Sequence, residues 1–489
     1  MTKHSQLPKR TDGCTLSKLE ALECHFTWVK GTTRSQLLRI RVQLEDIGAD
    51  EGNFWLGSIY NLWGFVLYEL GSSKEAHQYF RKATETLQQL RKEDEGPWLM
   101  VNYGNLAWLH HHLGEEAKSQ DYLSKVEALK SKFPSPSQDE LHPEIYAEKA
   151  WTLMKLGKND KLLAADYFQR SLKMQPDMVQ WQSSCVIALA SAAKHSDTGL
   201  SDDLMQEIRT VREQDPENLY VAAVELKERG RKGESVKDEA ETLGQKILLQ
   251  PVSSYSGLNP LMRLHRRLGS LDEAIVLTEE ALERYPEGRY LKRCAALCYK
   301  WKVLRFGADR ADQRTIERAI KLHEEVVDLY PDTSFVKKVD LAYVQAKSSH
   351  GREIAYQMFQ DLLARRDLDS DDKQLLYYNY AKYLIFERQD SNDSIRYHMK
   401  SAEIQKRSFY GKLSVKVLQK ICERGRSRIL CCNTVISPLG VSVSFTVVVF
   451  VLQRVMGPEN AEKAFFTVFC GLNRVVSFLL FSQWRISCL

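Results

Sequence analysis

Hydrophobic and polar positions alternate with a helical period through most of this 489-residue chain, and the clearest stretch runs from Leu258 to Pro286. Small or apolar residues recur there every three or four positions, which places them on one face of a helix. Gly269 divides the stretch into two runs, because glycine readily adopts the left-handed conformation that ends helices. The residues that carry the pattern are Leu258, Leu261, Ala274, Thr278 and Ala281. We therefore predict two antiparallel helices that cross through small side chains, with Pro286 at the exit.

The same helix-pair pattern recurs along the chain at imperfect spacing. Units of two helices in about 34 residues are typical of tetratricopeptide repeats, which stack because one unit cannot bury its own apolar face. We predict an all-α tetratricopeptide-repeat superhelix, an α-solenoid, with a generic helical bundle as the alternative. The recurring positions are Tyr60, Trp63, Gly64, Leu67, Gly71, Ala76, Phe80 and Ala83; Tyr103, Leu106, Ala107, Gly114, Ser119 and Leu123; Ala164, Phe168, Ser171 and Pro176; Ala319, His323, Val326 and Pro331; and Ala355, Phe359 and Leu362.

Breaks in the pattern suggest four regions. A Pro/Ser-rich linker follows Phe133, and the pattern of repeats stops near Arg428. Before the first repeat, Leu16–Trp28 has the periodicity of a single amphipathic helix. The predicted regions are N-terminal helices and first repeats at 1–135, a central superhelix at 136–333, C-terminal repeats with a basic helix at 334–428, and an atypical apolar tail at 429–489.

The tail has a different composition from the rest of the chain. Ile429–Gln453 contains no charged residue, and about 20 uncharged apolar residues are enough to span a bilayer. Pro438, Gly440 and several Ser/Thr argue against a spanning helix. Membrane contact through 429–453 and an aberrant end packed on the last repeats both stay open. Met1–Arg10 is polar and basic, which predicts no signal peptide.

Charge is concentrated near one end of the repeats. The formal net charge is +5, yet residues 400–428 hold nine Lys/Arg against two Glu, and the tail from 429 holds four against two, leaving −4 for residues 1–399. Lys412, Lys416, Lys420 and Arg424 recur every four residues and form one stripe on a helix. Such a stripe predicts a polyanion site, with a solvated basic face as the alternative. The ten scattered cysteines suit a reducing compartment.

No motif points to catalysis. The chain lacks the glycine-rich phosphate loops, GxSxG and HExxH. Three consecutive histidines, His110–His112, point to different sides of a helix and cannot share one metal. Cys294 and Cys298 lie one turn apart, but no second pair of ligands accompanies them, so helix packing explains them better. We predict no enzyme, no metal and no cofactor.

Several short motifs between about residues 15 and 428 have a recognisable pattern. They are Leu22-Glu-Cys-His-Phe-Thr-Trp28, Tyr103-Gly-Asn-Leu-Ala-Trp108, His142-Pro-Glu-Ile145 with Trp151, Asp215-Pro-Glu-Asn-Leu-Tyr220, Arg266-Arg-Leu-Gly-Ser270 and Ala296-Leu-Cys-Tyr-Lys300. These motifs closely resemble the interferon-induced proteins with tetratricopeptide repeats. The resemblance implies a cytoplasmic antiviral effector of innate immunity whose superhelix encloses a basic central tunnel. It also implies binding of single-stranded RNA 5′ ends that bear a triphosphate or a cap lacking ribose 2′-O-methylation, followed by sequestration or a block of translation.

The resemblance also implies RNA-binding residues. It places Arg39 and Gln43 near the 5′ phosphates, the Trp151 indole toward the terminal group and Lys155 toward phosphate. Tyr220 and Arg266 match a tunnel tyrosine and a tunnel arginine, and Arg293 falls with Cys294 where the family usually has His-Gln. The RNA entry corresponds to Lys412, Lys416 and Lys420.

The chain departs from the family pattern at several positions. A tunnel arginine falls near Ser191, where Lys194 is the substitute, and Arg263 replaces a lost Arg-Tyr pair. Closing repeats expected after Arg428 are missing. Partners among family homologues or translation factors, and homo- or hetero-oligomers, therefore stay open.

A repeat scaffold or adaptor in interferon signalling is the alternative function. Tetratricopeptide proteins commonly bind peptides in a concave groove, and the tail would add membrane tethering. A partner that survives nuclease treatment would favour the scaffold, whereas discrimination between RNA 5′ ends would favour the sensor.

Overall fold

The computed structural model describes residues 13–48, 53–137, 139–193, 199–306, 312–405 and 408–423. Regular structure in these residues is helical throughout, with a short 3₁₀ turn at Pro331–Thr333, which confirms the all-α prediction. The α-helices of the described residues are α1 Gly13–Glu20, α2 His25–Trp28, α3 Arg34–Ile47, α4 Leu56–Glu69, α5 Ser73–Arg91, α6 Leu99–His112, α7 Glu116–Lys132, α8 Pro143–Leu153, α9 Lys158–Met174, α10 Val179–Ala192, α11 Asp202–Gln214, α12 Leu219–Lys232, α13 Lys237–Leu248, α14 Leu258–Leu268, α15 Leu271–Arg284, α16 Arg289–Phe306, α17 Gln313–Leu329, α18 Ser334–Gln345, α19 Gly351–Leu363, α20 Ser370–Glu387, α21 Ser391–Glu403 and α22 Phe409–Glu423.

The stretch with the clearest repeat pattern folds as predicted. It forms α14 and α15, and Gly269 between them has φ +85°. The small residues of α15 lose all exposure at the crossing, and the Thr278 hydroxyl donates to the Ala274 carbonyl oxygen at 3.0 Å. α15 ends two residues before Pro286.

The chain divides into two compact units. The first unit comprises residues 1–302 and 325–334, and the second comprises residues 303–324 and 335–489. In the first unit, α4 packs on α5 because Gly64 lets the Phe80 ring approach its backbone: a Cβ on Gly64 would lie 2.7 Å from that ring. The four regions predicted from sequence, with boundaries at 135, 333 and 428, stay a prediction.

The core of the first unit contains a buried polar network. The Asn61 amide donates to a Glu148 carboxyl oxygen at 2.9 Å, and the Asn102 amide donates to the Asn61 oxygen at 2.7 Å. Burial raises the pKa of Glu148 to about 8, although the Asn61 bond opposes the shift. Glu148 is therefore a neutral acid at neutral pH, which lowers the free-energy cost of burying it.

The second unit has an aromatic core. Phe359 packs against Tyr380 and Tyr383 at centroid distances of 5.3 and 4.9 Å. The Ser394 hydroxyl of α21 donates to the Ala381 carbonyl oxygen of α20 at 2.8 Å, which joins two helices of this unit.

One predicted helix was wrong. The stretch from Leu16 to Trp28 is interrupted after Glu20, and α2 starts at His25. The reason is side-chain capping: the Thr27 hydroxyl donates to the Leu22 carbonyl oxygen at 2.7 Å, and the Asn105 side chain accepts the His25 N–H at 3.0 Å. Within the described ranges, no helix combines the length and apolar character needed to cross a bilayer. The tail from 429 lies outside the described residues.

Candidate nucleic-acid interface

The first side of the site is the helix α3. Thr33 starts this helix by a reciprocal cap, in which its side chain accepts the Gln36 N–H at 3.3 Å and its own N–H is accepted by the Gln36 side chain at 2.9 Å. Gly48, at φ +81°, follows the last turn. Arg39 and Gln43 lie one turn apart on α3, and the Gln43 amide donates to the Lys155 carbonyl oxygen at 3.5 Å. The structure thus brings together two of the predicted residues.

Trp151 and Lys155 form the second side, at the end of α8. Trp151 is 1% exposed and stacks on Trp55 at a centroid distance of 6.0 Å. The Lys155 Nζ lies 4.4 Å from the Trp151 ring centroid, and the Lys155 ammonium contacts the hydroxyl of Tyr255. The indole therefore orients the ammonium through a cation–π contact. The predicted contact of Trp151 with a terminal group of RNA stays a prediction.

Lys155 is a buried cation. Its side chain is 6% exposed, and no carboxylate among the described residues pairs with it. Burial, reinforced by repulsion from Lys161, lowers the pKa of Lys155 to about 7. An anion placed beside this ammonium would reverse the shift, because an opposite charge favours the protonated form.

Tyr255 reaches Lys155 from the segment between α13 and α14. Gly257, at φ +85°, ends that segment, and a Cβ there would lie 2.6 Å from the Leu219 carbonyl oxygen. Only glycine therefore lets the segment approach α12 so closely. The neighbouring Tyr220 on α12 raises the pKa of Tyr255 further, although burial is the main cause. Tyr220, a predicted site residue, thus lies beside Tyr255.

Two arginines of α14 extend the site. Arg263 donates to the Asn259 side-chain oxygen at 2.8 Å, and the Arg266 guanidinium lies 4.7 Å from the Trp301 ring centroid. Burial, and then repulsion from Arg266, lowers the pKa of Arg263, and burial lowers that of Arg266. Among the described residues, neither arginine forms an ion pair with a carboxylate. We call Lys155, Arg263 and Arg266 the unpaired cluster.

A second group of arginines is neutralised by carboxylates, two of which lie on α3. The Arg293 Nη1 lies 2.6 Å from the Asp46 Oδ2, and the Arg289 Nη1 lies 2.6 Å from the Glu45 Oε2. Arg41 of α3 pairs with Asp332 of the 3₁₀ turn and also lies 3.7 Å from Glu45. We call this group the paired cluster; its members are Arg41, Arg289, Arg293, Glu45, Asp46 and Asp332.

Asp46 is the centre of the paired cluster. It is 3% exposed, accepts the Tyr330 hydroxyl at 2.6 Å, and its backbone oxygen accepts the Ser254 N–H at 2.9 Å. Burial is the largest single influence and lowers the pKa of Arg293, but Asp46, together with Tyr330 and smaller contributions, outweighs burial, so the pKa is raised. Arg263 and Arg293 therefore differ in one respect: both are largely buried, yet only Arg293 has a counter-charge.

The two clusters are neighbours. Arg293 and Arg263 both lower the pKa of the buried Cys294 thiol electrostatically, although burial outweighs them and raises it to about 11. Cys294 is therefore within electrostatic range of one cation from each cluster.

Three predicted residues belong to the second unit: Lys412, Lys416 and Lys420 are exposed along α22. Lys194, and Arg424 of the predicted stripe, lie outside the described residues.

Sequence reasoning did not find Tyr255, Asp46 or Tyr330. Tyr255 follows two serines in an irregular stretch, and Asp46 follows Glu45 in what reads as a polar helix face. The spacing of Arg289 and Arg293, one turn apart, was the available signal for a carboxylate partner.

Comparison with known sequences identifies relatives. No family model matches the chain. The human antiviral innate immune response effector IFIT1 is 27% identical over 428 residues, which cover 83% of this chain and 87% of IFIT1. The human interferon-induced protein with tetratricopeptide repeats 2 is 24% identical over 424 residues, covering 84% of this chain and 88% of that protein. The chain is thus similar, over more than four fifths of its length, to interferon-induced proteins with tetratricopeptide repeats.

Solved structures of this family share the fold. A monomeric mutant of IFIT1 with Gppp-AAAA superposes with a TM-score of 0.68 at 23% identity, covering 93% of this chain and 99% of that one. A human IFIT1 dimer with PPP-AAAA gives a TM-score of 0.66 at the same identity, covering 93% and 98%. The similarity confirms the tetratricopeptide fold predicted from the sequence. The enclosed tunnel stays a prediction.

Proposed function

We propose that this protein is an antiviral innate-immune effector that binds the 5′ end of single-stranded RNA. Its ligands carry a 5′-triphosphate or a cap lacking 2′-O-methylation, and binding sequesters the RNA or blocks its translation. The observation that carries the proposal is the unpaired cluster of Lys155, Arg263 and Arg266 beside the aromatic residues Trp151 and Tyr220.

The electrostatics of this cluster favour a phosphate ligand. Burying a cation without a counter-charge is unfavourable, and this applies most strongly to the buried Lys155 and less to the half-buried Arg263; Arg266 is exposed, although partial desolvation lowers its pKa as well. The phosphates of an RNA end would supply the missing negative charge and form charge-assisted hydrogen bonds. Arginine forks fit phosphate oxygens in a bidentate manner, which adds geometric selection.

The aromatic side chains favour a nucleic acid over an isolated phosphate. Tyr220 and Tyr255 adjoin the cations, and bases stack on such rings with little dependence on sequence. Single-stranded RNA recognition commonly combines such stacking with contacts to the backbone.

The relatives support the same ligand class. Human IFIT1 is an antiviral innate immune response effector, and its structures contain PPP-AAAA, Gppp-AAAA and m7Gppp-AAAA. By analogy we propose stoichiometric capture without catalysis, in the cytoplasm, by a protein that self-associates or pairs with family homologues.

The test is equilibrium binding of one short single-stranded RNA with four 5′ ends: triphosphate, unmethylated cap, 2′-O-methylated cap and hydroxyl. We expect the triphosphate or the unmethylated cap to bind at least about tenfold more tightly than the hydroxyl end, as one charge-assisted contact implies. Lys155→Gln should remove this preference, whereas Arg81→Gln, an exposed cation on α5, should preserve it. Equal affinity for all four ends would contradict the proposal and favour the scaffold.

A further inference from the structure

The buried carboxylate of Asp46 is an unusual group to find beside a cationic site. A phosphate-binding site gains from every available cation, yet Asp46 lies 2.6 Å from the Arg293 guanidinium and 3.6 Å from that of Arg289. Because the Asp46 side chain is 1% exposed, little solvent screens the pair on the carboxylate side. Asp46 therefore competes for Arg293 with any anionic ligand.

Asp46 cannot easily move away from this position. Its other carboxylate oxygen accepts the Tyr330 hydroxyl, and its backbone oxygen accepts the Ser254 N–H. Releasing Arg293 to a ligand would leave a buried carboxylate with one partner fewer, and an uncompensated buried charge is strongly unfavourable. The ligand must then be held by cations that have no such partner.

We propose that Asp46 is a specificity-determining residue that prevents Arg293 from binding the RNA 5′ phosphates. It thereby limits how much each additional 5′ phosphate raises the affinity for RNA. This inference rests on the proposed function, since it concerns the same RNA ends. The phosphates engage the unpaired cluster, and further phosphates toward Arg293 meet a neutralised guanidinium. The affinity ratio between a triphosphate and a monophosphate end is therefore smaller than it would be if Arg293 also bound phosphate.

Removing the charge of Asp46 releases Arg293. In Asp46→Asn the side chain keeps its size and can still accept the Tyr330 hydroxyl, while Arg293 gains a free positive charge. We expect the 5′-triphosphate RNA to bind about tenfold more tightly and the 5′-hydroxyl RNA to change far less. The slope of log affinity against log salt should steepen by about 0.7 for one added phosphate contact.

A double variant separates the two causes of such a gain. If Arg293 makes the new contact, Asp46→Asn combined with Arg293→Gln loses the gain. If Asp46 merely repelled phosphate, the gain persists in the double variant, and the inference is overturned. Glu45→Gln makes the same change in charge one residue away, next to Arg289, and should give a much smaller gain.

The experiment compares the full chain and these variants with 5′-triphosphate, 5′-monophosphate and 5′-hydroxyl forms of one short RNA. A larger triphosphate-to-monophosphate affinity ratio in Asp46→Asn, abolished by Arg293→Gln, supports the inference. An unchanged or smaller ratio in a folded Asp46→Asn protein overturns it. If Asp46→Asn does not fold, two other single variants test the inference. Arg293→Gln should lose clearly less affinity for 5′-triphosphate RNA than Lys155→Gln does, and an equal loss overturns the inference.

The outcomes also separate this inference from the proposed function. Equal binding of all ends by both the wild type and Asp46→Asn overturns both. A triphosphate preference that appears only in Asp46→Asn supports the role of Asp46 while contradicting the proposed function. A wild-type preference that Asp46→Asn leaves unchanged contradicts only the role of Asp46.

Discussion

The ammonium of Lys155 lies 4.6 Å from the ring centroid of Tyr255 and contacts its hydroxyl, although 100 residues separate the two in sequence. The contact joins the end of α8 to the segment before α14. It leaves the ammonium with aromatic and hydroxyl neighbours but no carboxylate among the described residues. Such a cation is ready to accept an anionic ligand, and its charge depends on pH near neutrality.

Binding of a 5′-triphosphate RNA should therefore depend on pH through Lys155. The pKa of Lys155 is about 7, and bound phosphate raises it, so the complex holds more protons than the free protein above pH 7. We expect constant affinity below about pH 7 and a loss of affinity as the pH rises above it. Lys155→Arg should keep the affinity and lose this dependence. An identical pH profile for wild type and Lys155→Arg would contradict the assignment.

The arginines of α14 should contribute to phosphate binding independently of pH. Replacing Arg263 or Arg266 with Gln removes one unpaired cation. For triphosphate RNA, each change should make the slope of log affinity against log salt shallower by about 0.7. Fluorescence anisotropy at four salt concentrations measures the slope. Arg81→Gln is the matched control, and a slope that no α14 variant alters would exclude Arg263 and Arg266 as phosphate contacts.

The stripe on α22 should bind RNA without selecting its end. Lys412, Lys416 and Lys420 are exposed, so their conversion to Gln should leave the fold intact. We predict that the triple variant weakens binding of triphosphate and hydroxyl RNAs by the same factor, because contacts to the backbone carry no information about the 5′ end. Unchanged binding of a long single-stranded RNA would make the stripe a solvated surface.

Glu148 should make the protein less stable as the pH rises. Its pKa is about 8 in the folded protein and near the ordinary value of 4.5 for a glutamate when unfolded, so between these values only the folded state holds the proton. The free energy of unfolding then falls from about pH 5 to pH 8. Glu148→Gln keeps an acceptor for the Asn61 amide and should remove this decline. The melting temperatures of both proteins at pH 5.5 and pH 8 provide the comparison.

The close packing of α4 on α5 gives a test of the fold itself. Gly64→Ala places a methyl group 2.7 Å from the Phe80 ring and should lower the free energy of unfolding by about 1–3 kcal/mol. Combining it with Phe80→Leu makes room for the methyl group, so the double variant should lose less than the sum of the single losses. Urea unfolding monitored by circular dichroism measures all three, and strict additivity would refute the clash.

The helices could be predicted because their signals are local. Small residues at Ala274, Thr278 and Ala281, and the glycine at 269, specify a crossing and a helix end within 30 residues of sequence, and the structure confirms both. The break before α2 could not be predicted in this way. It depends on Asn105, which lies 80 residues from the His25 N–H that it caps.

The site was predictable in part for the same reason. Arg39, Gln43, Trp151 and Lys155 belong to short motifs that resemble a known family, and the structure brings Gln43 and Lys155 together. The role of Asp46 depends on Arg293 and Tyr330, which are more than 240 residues away. The spacing of residues along the sequence does not predict such a long-range pair, so the distinction between paired and unpaired cations required the structure.

The most direct measurement is the ratio of dissociation constants for the 5′-hydroxyl and 5′-triphosphate forms of one single-stranded RNA, at two salt concentrations. The unpaired cluster predicts a ratio of at least about ten at the lower salt, which decreases at the higher salt as phosphate contacts are screened. A ratio of one at both salt concentrations would contradict recognition of the RNA 5′ end.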